Sequence, residues 1–126
     1  MAGSRWVRLD VDYFDNPKVR AVSDAAQRLH LASILYCARH LTDGEITDRS
    51  LTDVGQMALV DPRWRLRRAS ELVSVGLWER NGSGWHVHDF ETMNPQAMRA
   101  VVERERARWR ERQAARRAAM SRVESL

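Results

Sequence analysis

The chain has 126 residues, 44% hydrophobic and 30% charged, which suits one folded domain with an extension and is too short for two separate cores. A single cysteine, Cys37, excludes an internal disulfide, and no apolar run is long enough to cross a bilayer. The net charge of +4 is uneven: residues 1–96 carry 12 Lys or Arg against 13 Asp or Glu, whereas residues 97–126 carry 9 against 4. Four arginines of the first part fall within Arg63–Arg68. A near-neutral body with one positive spot and a basic tail points to a polyanionic partner, nucleic acid above all. The start lacks the charged-then-apolar pattern of a signal peptide, so the expected setting is the bacterial cytoplasm, in association with the nucleoid.

Residues 1–5 read as a disordered start. From Trp6 to Tyr13 the pattern alternates, with Val7, Leu9, Val11 and Tyr13 on one side and Arg8, Asp10 and Asp12 on the other, which predicts an extended strand or arm. Asn16-Pro17 opens a short helix to Val22. Ser23 or Asp24 caps a longer one running to Leu41, with Ala26, Leu29, Leu31, Ile34, Leu35, Cys37, Ala38 and Leu41 as its apolar face. Cys37 sits in that pattern as a small buried residue with no chemistry of its own. Thr42-Asp43-Gly44 ends the helix, and Glu45-Ile46-Thr47 is long enough for one small strand. A second capped helix follows from Asp48 to Val60, with Leu51, Val54, Met57, Ala58 and Val60 facing inward.

The segment Asp61–Gly76 has the clearest ends in the chain. Asp61 suits the N-cap, Pro62 the first helical position, and Gly76 the left-handed residue after the last turn. Leu66, Ala69, Leu72 and Val73 form the expected inward stripe; Arg63, Arg67 and Ser70 run along the outward face, with Arg65 and Arg68 beside it. After Gly76, two short runs, Leu77–Arg80 and Trp85–Phe90, flank the Gly-rich turn Asn81–Gly84, which is a hairpin signal. Paired with the strand at Glu45–Thr47, the hairpin would complete a three-stranded sheet. The turn carries no Lys or Arg, so Arg80 and His86 are the nearest phosphate contacts.

From Gln96 to Arg122 the pattern is one long helix without interior Gly or Pro. Met98, Val101 and Val102 dock it, and beyond Trp109 it projects. Arg104, Arg108, Arg112 and Arg116 recur every four residues as a one-sided stripe, with Arg117 nearby. Like charges at this spacing oppose the helix by a few tenths of a kcal/mol per pair, a strain that an anionic surface relieves. The fold class is thus mainly α (α+β): a winged helix-turn-helix over residues 6–93 with a small antiparallel wing and an N-terminal extended arm, followed by a basic C-terminal helix over 94–126.

No catalytic constellation stands out, and no cofactor or metal is expected. Asn81–Gly84 is a turn rather than a nucleotide loop. His86 and His88 have metal-compatible spacing, yet nothing in the sequence completes their ligand set, which makes hydrogen bonding or packing their expected role.

Trp6-Val7-Arg8-Leu9, Asp12, Phe14-Asp15 and Lys18-Val19, followed by a long apolar helix and a helix-turn-helix pattern, resemble the N-terminal domain of phage replisome organisers. That domain is itself similar to the N-terminal winged helix of DnaD primosome proteins. The resemblance covers roughly residues 5–90. It implies a phage or mobile-element module that binds origin DNA, helps to recruit the replicative helicase or its loader, and self-associates through the Trp6–Tyr13 arm. The near-exclusive use of arginine, with Lys18 the one lysine, fits a GC-rich host.

Duplex DNA is therefore the expected partner. The expected contacts are Arg63, Arg65, Arg67, Arg68 and Ser70 on one helix, Arg80 on the hairpin, and Arg104, Arg108, Arg112, Arg116 and Arg117 on the tail. Arg63 is placed to fork onto a guanine, and Trp64 to pack half-buried. The competing reading is a protein-interaction module, or a transcription or excision regulator, that pairs through its long C-terminal helix as a homodimer or with another protein. A third is single-stranded nucleic acid bound through Trp85 and the tail, which requires exposed rings, whereas most of the five tryptophans are expected in the core.

Overall fold

The computed structural model describes residues 5–126. Of the expected disordered start, residues 1–4 lie outside the described residues. Arg5 is ordered: its guanidinium donates to the carbonyls of Ala38 and Arg39 at the C-terminal end of a helix, where a cation is favoured.

The protein is mainly helical with a small antiparallel sheet. The helices are α1 (Pro17–Arg20), α2 (Asp24–His40), α3 (Asp48–Met57), α4 (Arg65–Ser74), α5 (Phe90–Met93) and α6 (Arg99–Glu124). The strands are β1 (Glu45–Ile46), β2 (Trp78–Asn81) and β3 (Gly84–Val87), in the sheet order β1-β3-β2. N-cap side chains set the starts of α1, α2 and α3. Asn16 accepts from the Lys18 amide and Ser23 from that of Ala26. Thr47 and Ser50 satisfy each other's amides in a capping box that opens α3. Leu41, left-handed at φ 55°, ends α2.

The core lies between α2, α3, α4 and the sheet. Leu29, Val54, Leu72, Trp78 and Phe90 are fully buried in it. The Trp78 indole donates to the Ser33 hydroxyl (3.1 Å), so the largest core side chain leaves no polar atom unmet. Cys37 is buried as expected, and burial pushes its thiol up to about 11, far from nucleophilic range. Leu35, expected on the inner face, is exposed.

The hairpin turns through Gly82 and Ser83, with Gly82 at φ +60°. Its other glycine matters for closeness rather than torsion. A Cβ on Gly84 would strike the Ile46 carbonyl oxygen and lie 3.2 Å from Thr47 Cα. Gly84→Ala is therefore expected to push β1 off β3 and cost about 1–3 kcal/mol, measurable by urea denaturation. An unchanged midpoint would contradict this packing.

Two segments depart from expectation. The Trp6–Tyr13 segment is an arm without a strand partner, and its alternation is not realised: Tyr13 is buried while Leu9 and Val11 are exposed. Alternation reports a face only where a ladder holds the chain flat, and here the arm is pinned instead at points. The Arg8 amide donates to Asn94 Oδ1 (2.6 Å), and the Tyr13 hydroxyl meets His30 Nδ1 (2.6 Å). The long C-terminal helix starts at Arg99 rather than Gln96, because Pro95–Ala97 form a separate 3-10 turn and Met98 is extended. Asp43 supplies the cap from a distant loop, accepting from the Arg99 amide (2.7 Å), and Arg99 Nε donates to the Leu41 carbonyl. Val102 is the one α6 residue that is fully buried, and past Ala107 nearly the whole helix is exposed.

Candidate nucleic-acid interface

The expected contact segment begins with a 3-10 turn, Pro62–Trp64, before α4. Asp61 caps that turn, accepting from the Arg63 amide (2.9 Å), so α4 proper starts later than Pro62. From Arg65 to Ser74 the helix is regular and keeps one phase. Arg65, Arg68, Ala69 and Leu72 occupy the inward positions at i, i+3, i+4 and i+7, and Leu66, assigned inward from the sequence, is 66% exposed.

This phase gives two arginines supporting roles. Arg65 lays its stem across Gly55 of α3, where a Cβ would collide with it, and donates from Nε to the Val60 carbonyl (3.2 Å). Arg68 pairs with Glu71 at 2.7 Å. Glu71 also accepts from the Ser23 amide and hydroxyl, both at 2.9 Å, which ties α4 to the first turn of α2. Partial burial opposes ionisation of Glu71, but the bonds from Arg68 and Ser23 outweigh it and hold its carboxyl below the usual range. Arg65 and Arg68 therefore lock α4 in place. They are half-buried supports rather than free contacts.

Arg63, Trp64, Leu66, Arg67 and Ser70 form the solvent face. Arg63 is chelated by Asp61, at 3.2 Å from Nε and 3.1 Å from Nη2. This pair lies at the surface, and the Arg63 hydrogen bond draws the Asp61 carboxyl below its ordinary value. Arg67 lies over the Trp64 ring at 5.8 Å from its centroid, and Arg68 over the same ring at 5.9 Å. Ser70 bonds back to the Leu66 carbonyl. Arg80 stands exposed on β2 and stacks over Trp85 at 4.8 Å.

The tail arginines Arg104, Arg108, Arg112, Arg116 and Arg117 are all exposed on α6. They are attached far from α4. Glu71 joins α4 to the start of α2, whereas Arg99 joins α6 to its end, and the 17 residues between span roughly 25 Å. The two basic groups are therefore separate attachments on one rigid rod.

Comparison with protein-family models, curated proteins and solved structures gives no match.

The histidines find partners within the fold. His86 bridges Glu45 (2.7 Å) and Glu91 (3.0 Å), while His88 meets Glu79 and Asp89. Burial works against charge on His86, but the two carboxylates prevail and raise its pKa. Among the described residues no group of three or more His, Cys, Asp or Glu is arranged to hold a metal. Trp85, offered as a stacking platform from sequence, is buried, as is Trp78; Trp6, Trp64 and Trp109 are the exposed ones. The expectation that most tryptophans lie in the core fails at Trp6 and Trp109 because the alternation of the arm has no ladder to hold it and the tail has too few large apolar residues to define a seam.

Proposed function

We propose that residues 6–93 form a winged helix-turn-helix that binds duplex DNA, with α3 and α4 as the helix pair and the β2–β3 hairpin as the wing. The order α2, β1, α3, α4, β2, β3 around a three-stranded sheet supports the reading. The observation that carries it is the division of labour on α4. Arg65 and Arg68 hold the helix from behind, so that Arg63, Trp64, Leu66, Arg67 and Ser70 face solvent on a fixed surface. Preorganised donors of this kind suit phosphate contact and base-edge readout in a major groove. The wing has a minor part, since Arg80 is its one cation. The arginines of α6 neutralise flanking phosphate. The replisome-organiser resemblance makes origin binding and helicase recruitment the cellular role we propose, without catalysis.

A second reading draws on a specific feature. Leu59, in the turn after α3, is 82% exposed at φ 57°, and exposed Met57 and Leu66 lie in the neighbouring helices. Exposed apolar side chains there favour a protein partner. Salt separates the two. A labelled duplex titrated with the full chain is expected to bind with an affinity that falls steeply from low to physiological salt. Absence of binding, or binding indifferent to salt, would overturn the DNA reading.

A further inference from the structure

Trp6 of the arm and Trp109 of α6 line one open groove of about 1080 Å³. Trp6 is 60% exposed and Trp109 38%. Neither indole belongs to the buried core, and the Arg8 guanidinium lies over the Trp6 ring at 5.7 Å from its centroid. The arm is held through Arg5 and the Arg8 amide, and α6 through Arg99 and Val102. The groove is also strongly basic: Arg5, Arg106, Arg110 and Arg112 are among its walls, against the lone acid Glu105.

The helical period extends this arrangement along α6. At 100° per residue, Val102, Trp109, Gln113 and Met120 fall on one strip. Arg112 and Arg116 flank the strip on one side, and Arg106, Arg110 and Arg117 on the other, each within about 80° of its centre. The result is a strip that presents an indole between two arginine rows, with a second indole facing it from the arm.

We propose that this groove binds single-stranded nucleic acid, with bases stacked on Trp6 and Trp109 and backbone phosphates along the arginine rows. Every unpaired base has a π-face to offer an indole, whereas a duplex keeps its bases stacked inside, so the chemistry selects strandedness rather than sequence. Charge complementarity and the apolar content of the strip favour this occupant over two others. A second copy would set nine α6 arginines against nine. An acidic amphipathic helix needs apolar anchors on successive turns, and here Gln113 and Arg116 intervene between Trp109 and Met120.

The test uses the full chain, a short labelled oligothymidylate, and an abasic oligomer with the same phosphate backbone. Trp6→Ala and Trp109→Ala are each expected to weaken oligothymidylate binding at least about fivefold and to leave abasic binding unchanged. Trp109→Phe, which keeps a ring, is expected to retain most of the affinity, which separates stacking from damage to the helix. Indole fluorescence should be quenched by oligothymidylate and not by the abasic oligomer. Equal affinity for the two oligomers, wild-type affinity in both alanine variants, or tighter binding of an acidic helical peptide would overturn the proposal. Duplex binding through α4 is read with a different probe, so the two proposals fail separately.

Discussion

Replacing Arg63 and Arg67 together by alanine is expected to lower duplex affinity tenfold or more and to reduce the slope of log affinity against log salt by about 2. The two side chains stand exposed, Arg63 in the turn that precedes α4 and Arg67 in its first turn. Arg67 lies over the Trp64 ring, and Arg63 pairs with Asp61. An exposed ion pair of that kind is worth little in water, so Arg63 leaves Asp61 at small cost when phosphate or guanine offers a better partner. Asp61→Asn keeps the cap and removes the competing charge, and should therefore strengthen binding. Arg65→Ala and Arg68→Ala provide the contrast. They strip supports from α3 and from Glu71, so their effect should appear first as a lower melting temperature. If the Arg63/Arg67 variant binds with the wild-type slope, α4 is not the contact surface.

Acidification from pH 6.5 to 4 is expected to remove stability on the order of 3 kcal/mol through His30 alone. Burial lowers the His30 pKa from 6.5 to about 4. Tyr13, whose own pKa burial raises to about 12, stays protonated and shares a hydrogen bond with the neutral imidazole at 2.6 Å. The unfolded chain binds a proton on this histidine below 6.5 and the folded chain does not until about 4. The contribution is therefore complete above 6.5, is lost through that window, and is gone below it. His86 acts in the opposite sense, because its raised pKa stabilises the protein below the ordinary histidine value and fades as pH rises. The lowered carboxylates Glu71 and Glu91 lose their contribution only below about 4.5. Comparison with His30→Gln isolates the histidine: the stability difference between the two proteins, measured by urea denaturation, should change across the window. A difference independent of pH would show that His30 is protonated in the folded protein. Because Tyr13 ends the arm that carries Trp6, acid should also loosen one wall of the arm–α6 groove.

Local chemistry decided where most elements begin and end. Asn16, Ser23 and Thr47 cap helices because a side-chain oxygen one to three residues away satisfies an amide that the helix itself leaves free, and that geometry is contained in a few consecutive residues. The hairpin turn and the small strand at Glu45 are legible for the same reason, and so is the concentration of charge between Arg63 and Arg68 and on α6. The supporting place of Arg65 was not legible, because a charged side chain beside an apolar stripe is assigned outward until the neighbouring helix is known. With Ala69 and Leu72 inward, the 100° step of a regular helix puts Arg65 on their side and Leu66 about 90° away from it, and the space that receives the Arg65 stem exists because Gly55 of another helix lies beneath it. Nor was the start of α6, capped by Asp43 from across the chain. The sequence by itself determined the elements, the caps and the amount of charge. Tertiary structure decided which arginines support the fold and which face solvent, and which tryptophans remain exposed, because burial depends on what packs against a side chain rather than on its neighbours along the chain.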